Sequence, residues 1–168
     1  MADPVRKVDI RRMILQDVPA VHDLDVLSFA LPWSERSFRY EVTENDKARN
    51  WVAEAVEQGK PTLAGMLVLW LILDEAHIAT LAVRQDHRRQ GIAHCLLRVA
   101  LEHARQEGAR RAFLEVRAGN QPALAMYRQL GFVQTGLRLR YYHDNNEDAI
   151  LMTLEELDSL ATVNRSEP

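Results

Sequence analysis

Between Leu73 and Phe132 the period of the sequence switches between two and 3.6, a succession that restricts the chain to folds in which strands alternate with helices. His77–Val83 reads as a strand and Arg88-Arg89-Gln90-Gly91-Ile92-Ala93 as a charged turn. A long amphipathic helix follows, with Ile92, Leu96 and Val99 or Ala100 on one side. Gly108 stands where that helix stops. Arg111–Arg117 then alternates, placing Ala112, Leu114 and Val116 on the face opposite Phe113, Glu115 and Arg117. Asn120 can cap a short helix with the stripe Ala123, Met126, Tyr127 and Leu130, closed by Gly131.

The flanking sequence adds strands and two early helices. Val8–Leu15 suits a first strand, with Asp17 as N-cap of an amphipathic helix from Val18 to Phe29. Pro32 interrupts it, and Ser34 can cap a second helix running through Phe38 toward Val42. Trp51–Val56, a turn at Gln58-Gly59-Lys60 and the apolar run Thr62–Leu73 read as a hairpin. Two closing strands are expected around Phe132–Arg138 and Asp148–Thr153, joined by a polar loop from Tyr141 to Glu147. The residues past Leu157 read as a frayed tail. The expectation is one mixed α/β domain over residues 1–168, with its core at about 8–154 and a tail at about 158–168.

A chain of 168 residues can bury a sizeable core without disulfides or metal. Its net charge of −3 offers no general footprint for nucleic acid or an anionic membrane. Cys95 is the single cysteine, which excludes an intramolecular disulfide and argues against a Cys-based zinc site. Its helical position predicts a buried structural thiol. The six histidines form no metal constellation, so no metal is expected, although His87 and His94 flank the basic turn and could touch phosphates there. Met1–Lys7 lacks the apolar core of a signal peptide, and Thr62–Leu73 falls short of the ~20 residues that span a membrane. The expectation is a cytoplasmic monomer or weak dimer that binds neither nucleic acid nor membrane.

Two spots have a chemical reading. A strand that turns into a helix aims free backbone N–H groups and the positive end of the helix dipole at one point, and Gly91 lets an anion approach. A pyrophosphate cradle and a plain solvated turn both fit Arg88–Ala93. The turn lacks the Gly-Lys-Ser/Thr of a P-loop and the spaced glycines of a dinucleotide fold. Glu115 is compatible with a catalytic base or a solvated strand residue, and Tyr127 with a proton donor or a core aromatic. Trp33 fits either a core or lid aromatic or a substrate contact.

Taken together, these residues resemble a known family. Arg88-Arg89-Gln90-Gly91-Ile92-Ala93 is similar to the Gln/Arg-x-x-Gly-x-Gly/Ala signature of the GCN5-related N-acetyltransferases (GNAT). Leu114-Glu115-Val116-Arg117 with Asn120, Ala123, Tyr127 and Leu130-Gly131-Phe132 resembles the second half of that fold. Pro32-Trp33-Ser34-Glu35, Leu73-Asp74-Glu75-Ala76, Tyr141-Tyr142 and Glu147-Asp148-Ala149 resemble the RimI group, which acetylates the N-terminal alanine of small-subunit ribosomal protein eighteen. The resemblance covers about residues 8–154. Ala93 stands in place of the second glycine, a variant the family allows.

The resemblance implies a twisted, mixed but mostly antiparallel sheet flanked by helices, with a splayed strand pair holding acetyl-CoA. It implies that the backbone of Leu81, Ala82 and Val83 receives the pantetheine arm. The pyrophosphate would fall to Arg88, Arg89, Gln90, Gly91, Ile92, Ala93 and His94, and Asn120 would lie near the reactive end. Glu115 falls on the general base and Tyr127 on the general acid. Trp33, Glu35, Tyr141 and Tyr142 line the expected acceptor groove, while the loop His143–Asn146 is left unassigned.

The implied chemistry suits these residue types. A peptide α-amine titrates at ~7.7–8.0, so at neutral pH a carboxylate must remove its proton before it attacks a thioester. A lysine amine, at ~10.4, needs about 2.5 further units of help, which favours an N-terminal acceptor without excluding lysine; that the acceptor is a ribosomal protein is what the resemblance implies. Two alternatives stay open at this point: broader N-terminal or lysine acetylation, and a non-catalytic acetyl-CoA-binding module.

Overall fold

The computed structural model describes residues 7–160. The strands are β1 (Val8–Arg12), β2 (Ala48–Glu57), β3 (Lys60–Ile72), β4 (Glu75–Val83), β5 (Arg111–Arg117), β6 (Val133–Tyr142) and β7 (Glu147–Leu154). They form one seven-stranded, mostly antiparallel sheet in the order β1-β2-β3-β4-β5-β7-β6. Helices α1 (Val18–Ser28), α2 (Glu35–Thr43), α3 (Ile92–Gln106) and α4 (Gln121–Gln129) flank it, the mixed α/β architecture expected from the sequence. No helix among the described residues is long and apolar enough to cross a membrane. By internal contacts the chain divides into two compact units, Met1–Leu69 with Ala79–Ala100, and Trp70–Ile78 with Leu101–Pro168.

In the first unit β1 ends at Arg12, short of the expected Leu15. The Asp17 carboxylate accepts from the Ile14 N–H at 2.8 Å and from Arg11 at 2.8 and 2.9 Å, folding Leu15–Asp17 into a 3-10 turn. Asp17 therefore stands at the N-cap of α1 without capping it. Ser34 does cap α2, its hydroxyl accepting from Ser37 N–H at 3.1 Å. Gln58 and Gly59 both take positive φ, 49° and 75°, which matches a two-residue β2–β3 hairpin. Gly65 answers a space requirement, because a Cβ there would stand 3.0 Å from Leu96 Cδ1 and 3.1 Å from Ala82 O. Phe38, Met66, Leu67, Leu69, Leu96 and Leu97 are fully buried. Cys95 is exposed rather than buried, since Ile92, Leu96, Leu97 and Ala100 take the buried face of α3.

In the second unit β5 runs parallel to the start of β4, pairing Arg111–Phe113 with Glu75–His77, and antiparallel to β7 along its whole length. Leu101, Leu124, Phe132 and Met152 fill the core. β6 pairs with β7 but breaks register between Gln134 and Gly136 and again between Arg138 and Tyr142, where Arg140 takes φ 51°. It continues past the expected Arg138, so Tyr141 and Tyr142 belong to the strand and not to the loop. The chain stays docked beyond Leu157, where a frayed tail was expected. Leu157 N–H donates to Arg110 O at 2.9 Å, and both Leu157 and Leu160 are buried. The rest of the expected tail, 161–168, and all but the last residue of the stretch read for a leader lie outside the described residues.

Candidate active site

The basic turn lies in the first unit, between β4 and α3. Arg89 and Gly91 both adopt left-handed backbone, at φ 61° and 76°. For glycine that conformation costs nothing extra, whereas for arginine it stores local strain of order 1 kcal/mol, typical of ligand-clamping segments. A Cβ at Gly91 would meet nothing within 4 Å, so the constraint there is conformational. Cys95 N–H makes its helical bond to Gly91 O at 3.0 Å, and by helix geometry the N–H groups ahead of it have no carbonyl four residues back. N–H groups at a helix start, with exposed Arg88, Arg89 and Gln90 around them, are an arrangement that can hold an anion. Ile92 is buried, with Ala93 and His94 half-buried beside it. Burial, then the neighbouring Arg98, holds His94 below the usual imidazole range and so favours its neutral form.

Not every basic side chain of the turn is available. Arg88 directs Nε to Val83 O at 3.1 Å, tying the turn to the end of β4, where Ala82 and Val83 are buried and Leu81 half-buried. His87 is fully buried and does not reach toward a phosphate. Its Nε2 lies 2.9 Å from Glu57 and its Nδ1 2.8 Å from Asp86, and Arg84 pairs with Asp86 at 2.6 Å. The ligating atoms of Glu57, Asp86 and His87 lie within 4.8 Å of one another, a grouping that sequence spacing does not reveal. Trp33 and Glu35, also in this unit, lie just before and at the start of α2. The Trp33 ring packs on Phe38 at 5.3 Å, the Trp33 backbone N–H donates to buried Asp25 at 2.7 Å, and Glu35 pairs with Arg39 at 3.0 Å.

Glu115, Tyr127, Tyr141 and Tyr142 lie in the second unit. The pleat of β5 turns Glu115 away from buried Leu114 and Val116, leaving its side chain about a third exposed, at 32%. Arg138 Nε approaches its Oε1 to 3.3 Å, and the Tyr141 hydroxyl donates to it. That hydrogen bond and the carboxylate's charge raise the Tyr141 pKa. Tyr141 and Tyr142 meet edge to face at 5.2 Å. Tyr127 is buried on α4 against Phe132, at 5.9 Å between ring centres. Burial, and secondarily the neighbouring Tyr142, pushes its phenol up to about 12, so it keeps its proton at every physiological pH. Asn120 caps α4, its side-chain oxygen accepting from Ala123 N–H at 3.3 Å.

Sequence reasoning missed Arg138 and Arg117. Arg138 reaches Glu115 from two strands away in the sheet order, and Arg117 is a hub. Its Cζ stands 3.9 Å over the Tyr142 ring while its guanidinium bonds Asp144, Asn145 and Glu147. Only the charge of Arg117 and its place on β5 after Glu115 were visible beforehand.

The first unit thus carries a basic turn that opens α3, and the second a part-exposed carboxylate on β5 and a buried, protonated phenol on α4. The chain belongs to the acetyltransferase (GNAT) family, whose profile matches residues 18–132. It is 38% identical over 146 residues to a Bacillus subtilis protein provisionally named a ribosomal protein bS18-alanine N-acetyltransferase, covering 87% of this chain and 94% of that one. With the Escherichia coli protein named ribosomal protein bS18-alanine N-acetyltransferase it shares 35% identity over 140 residues, 82% of this chain and 90% of that one. The crystal structure of the ribosomal-protein-S18-alanine N-acetyltransferase from Escherichia coli superposes with a TM-score of 0.78 at 33% identity, covering 88% of this chain and 93% of that one.

Proposed function

We propose that this N-acetyltransferase moves acetyl from acetyl-CoA to a protein N-terminus, namely the N-terminal alanine of the small-subunit ribosomal protein bS18. The observation that carries the acceptor is the 35% identity, over 82% of the chain, to a relative named for that alanine. In this reading the acceptor is ribosomal and the reaction cytoplasmic.

Acetyl-CoA supplies the activated thioester. In this reading the N–H groups of the Arg88–His94 turn hold the pyrophosphate, and the backbone of Leu81, Ala82 and Val83 aligns the pantetheine arm. An N–H of that strand segment stabilises the charge that develops on the thioester oxygen. Asn120 lies near the reactive end. Glu115, directly or through a water, takes the proton that the acceptor α-ammonium must lose, and the amine attacks the acetyl carbon without an acyl-enzyme. Tyr127 then serves the departing thiolate. A thiol titrates near ~8.5, well below a phenol held at about 12, so in this setting Tyr127 acts mainly by donating a hydrogen bond to sulfur. Trp33, Glu35, Tyr141 and Tyr142 contact the acceptor peptide.

The test is thiol release from acetyl-CoA with synthetic peptides beginning Ala-Arg, Met or Ser. Release confined to the Ala-Arg peptide is the expected outcome. Equal release with all three would replace the narrow acceptor by a broad one, and acetyl-CoA binding without release from any would leave a non-catalytic module.

A further inference from the structure

Arg117 and Glu147 are the most heavily engaged charged residues near the proposed base, and nothing in the reaction as described uses them. Arg117 ends β5, two residues after Glu115. It donates to Asp144 Oδ1 at 2.9 Å, Asn145 Oδ1 at 3.2 Å and Glu147 Oε1 at 3.3 Å, and so reads three acceptors around the β6–β7 loop. The same guanidinium lies 3.9 Å over the Tyr142 ring. Glu147 spends its other oxygen on the Gly119 N–H at 2.7 Å. Gly119 has no Cβ for a local reason: one built there would stand 2.8 Å from that oxygen. The carboxylate thus clasps the turn that leads into Asn120 and α4, the helix that carries Tyr127.

Glu147 and Asp144 both titrate below the usual carboxylate range, Glu147 first through the Gly119 N–H and Asp144 first through Arg117. Asn145 cross-braces the loop by accepting from Glu147 N–H at 3.0 Å. One bidentate-capable cation therefore joins a loop, an aromatic ring and a helix entry, a task for which the single point charge of lysine has the wrong shape.

We propose that Arg117 and Glu147 form a latch that positions the acceptor side of the site, holding Tyr142 in place for the peptide and fixing the Gly119-Asn120 turn that opens α4, the helix carrying Tyr127. Both are positioning residues, not catalytic ones, and the loop 143–146 is the latch's keeper. The proposal rests on the acetyltransferase reading above, and its test separates the two.

Binding of the Ala-Arg peptide to CoA-saturated protein is measured by calorimetry, alongside acetyl-CoA affinity, for wild type, Arg117→Lys, Arg117→Gln and Glu147→Gln. The expected result is peptide Kd raised about tenfold in Arg117→Gln and Glu147→Gln, a smaller rise in Arg117→Lys, and acetyl-CoA Kd within twofold of wild type throughout. Faster hydrogen exchange at the Gly119 amide should accompany both Gln variants. Peptide affinity equal to wild type in Arg117→Gln and Glu147→Gln would overturn the latch, as would an equal loss of peptide and acetyl-CoA affinity. Wild-type protein that binds acetyl-CoA but no N-terminal peptide would instead overturn the acceptor reading, and the latch's role with it. Arg117→Lys and Glu147→Gln keep charge or shape close enough to guard against mere loss of folding.

Discussion

In the proposed site the turn Arg88–His94 would recognise its ligand with main chain, and the strand face around Glu115 with side chains. In the turn, the working groups are N–H donors presented by two left-handed residues, Arg89 and Gly91, and by the start of α3. Of its side chains, that of Arg88 is spent on Val83 O. Around Glu115 the backbone is an ordinary strand, and the environment comes from Arg138, Tyr141 and Tyr142, more than twenty residues later in sequence. A site made of backbone tolerates exchange of side chains as long as φ and ψ survive, whereas a site made of side chains tolerates very little. The same division predicts which substitutions leave one region unaltered while damaging the other.

Glu115→Gln should give the largest effect. A general base typically contributes about 10²–10⁴-fold, so kcat should fall within that range while acetyl-CoA affinity changes less than twofold. Part of the loss should return as pH is raised through the acceptor amine's ~7.7–8.0, because the amine then deprotonates unaided. Steady-state kinetics from pH 6 to 9 beside calorimetric acetyl-CoA titration measure both, and undiminished turnover at pH 7 would remove Glu115 from the base's role.

Tyr127→Phe comes next, with an expected loss in kcat of about tenfold, the value of a hydrogen bond worth ~1.5 kcal/mol. Because burial holds the phenol up to about 12, the wild-type kcat profile should show no downturn from Tyr127 below about pH 10. A break assigned to this tyrosine near pH 8, by comparison with the Phe variant, would contradict that.

Gly91→Ala probes the other region. Forcing a Cβ into left-handed backbone costs about 1–2 kcal/mol, so the acetyl-CoA KM should rise several-fold with peptide KM unchanged. A variant with peptide KM raised instead would dissolve the distinction between the two regions.

The smallest effect is a control that should touch neither region. Asp17 is held below the usual carboxylate range because, although burial opposes it, hydrogen bonds from Arg11 and Ile14 N–H favour its charged form. Its contribution to stability is therefore present above the unfolded pKa of ~3.9 and is lost as pH falls through the lower folded value. Asp17→Asn should lower stability by about 1 kcal/mol at pH 7, with a smaller difference at pH 3, and leave both KM values alone. Thermal melts at the two pH values measure it.

The contrast between the regions also explains what could be read from the sequence. Strand, turn and helix periods between Leu73 and Phe132 were legible because each is a local pattern, and β5 spans the expected Arg111–Arg117. Gly91, Gly108 and Gly131, all at positive φ, stand where helix boundaries were inferred. Misreadings arose where a side chain found a distant or competing partner. Asp17 looked like a cap but is claimed by Arg11 and Ile14, and His87 looked available to phosphate but is buried between two carboxylates. Cys95 looked apolar by helical spacing, yet the buried face of α3 runs through Leu96 and Leu97 instead. Tyr141 and Tyr142 were placed in a loop because no local signal marks the bulge that carries β6 past Arg138.

That bulged strand has a consequence for handling the protein. β6 terminates the strand order and shows Leu137 and Leu139 largely exposed, at 51% and 73%, the profile of a template onto which another unpaired strand can zip. Its two register breaks and the alternating Arg138 and Arg140 leave no long flat run of regular, uncharged edge. Straightening β6, or neutralising those two arginines to improve a crystal contact, would trade away resistance to aggregation, and at Arg138 would also remove the ion-pair partner of Glu115.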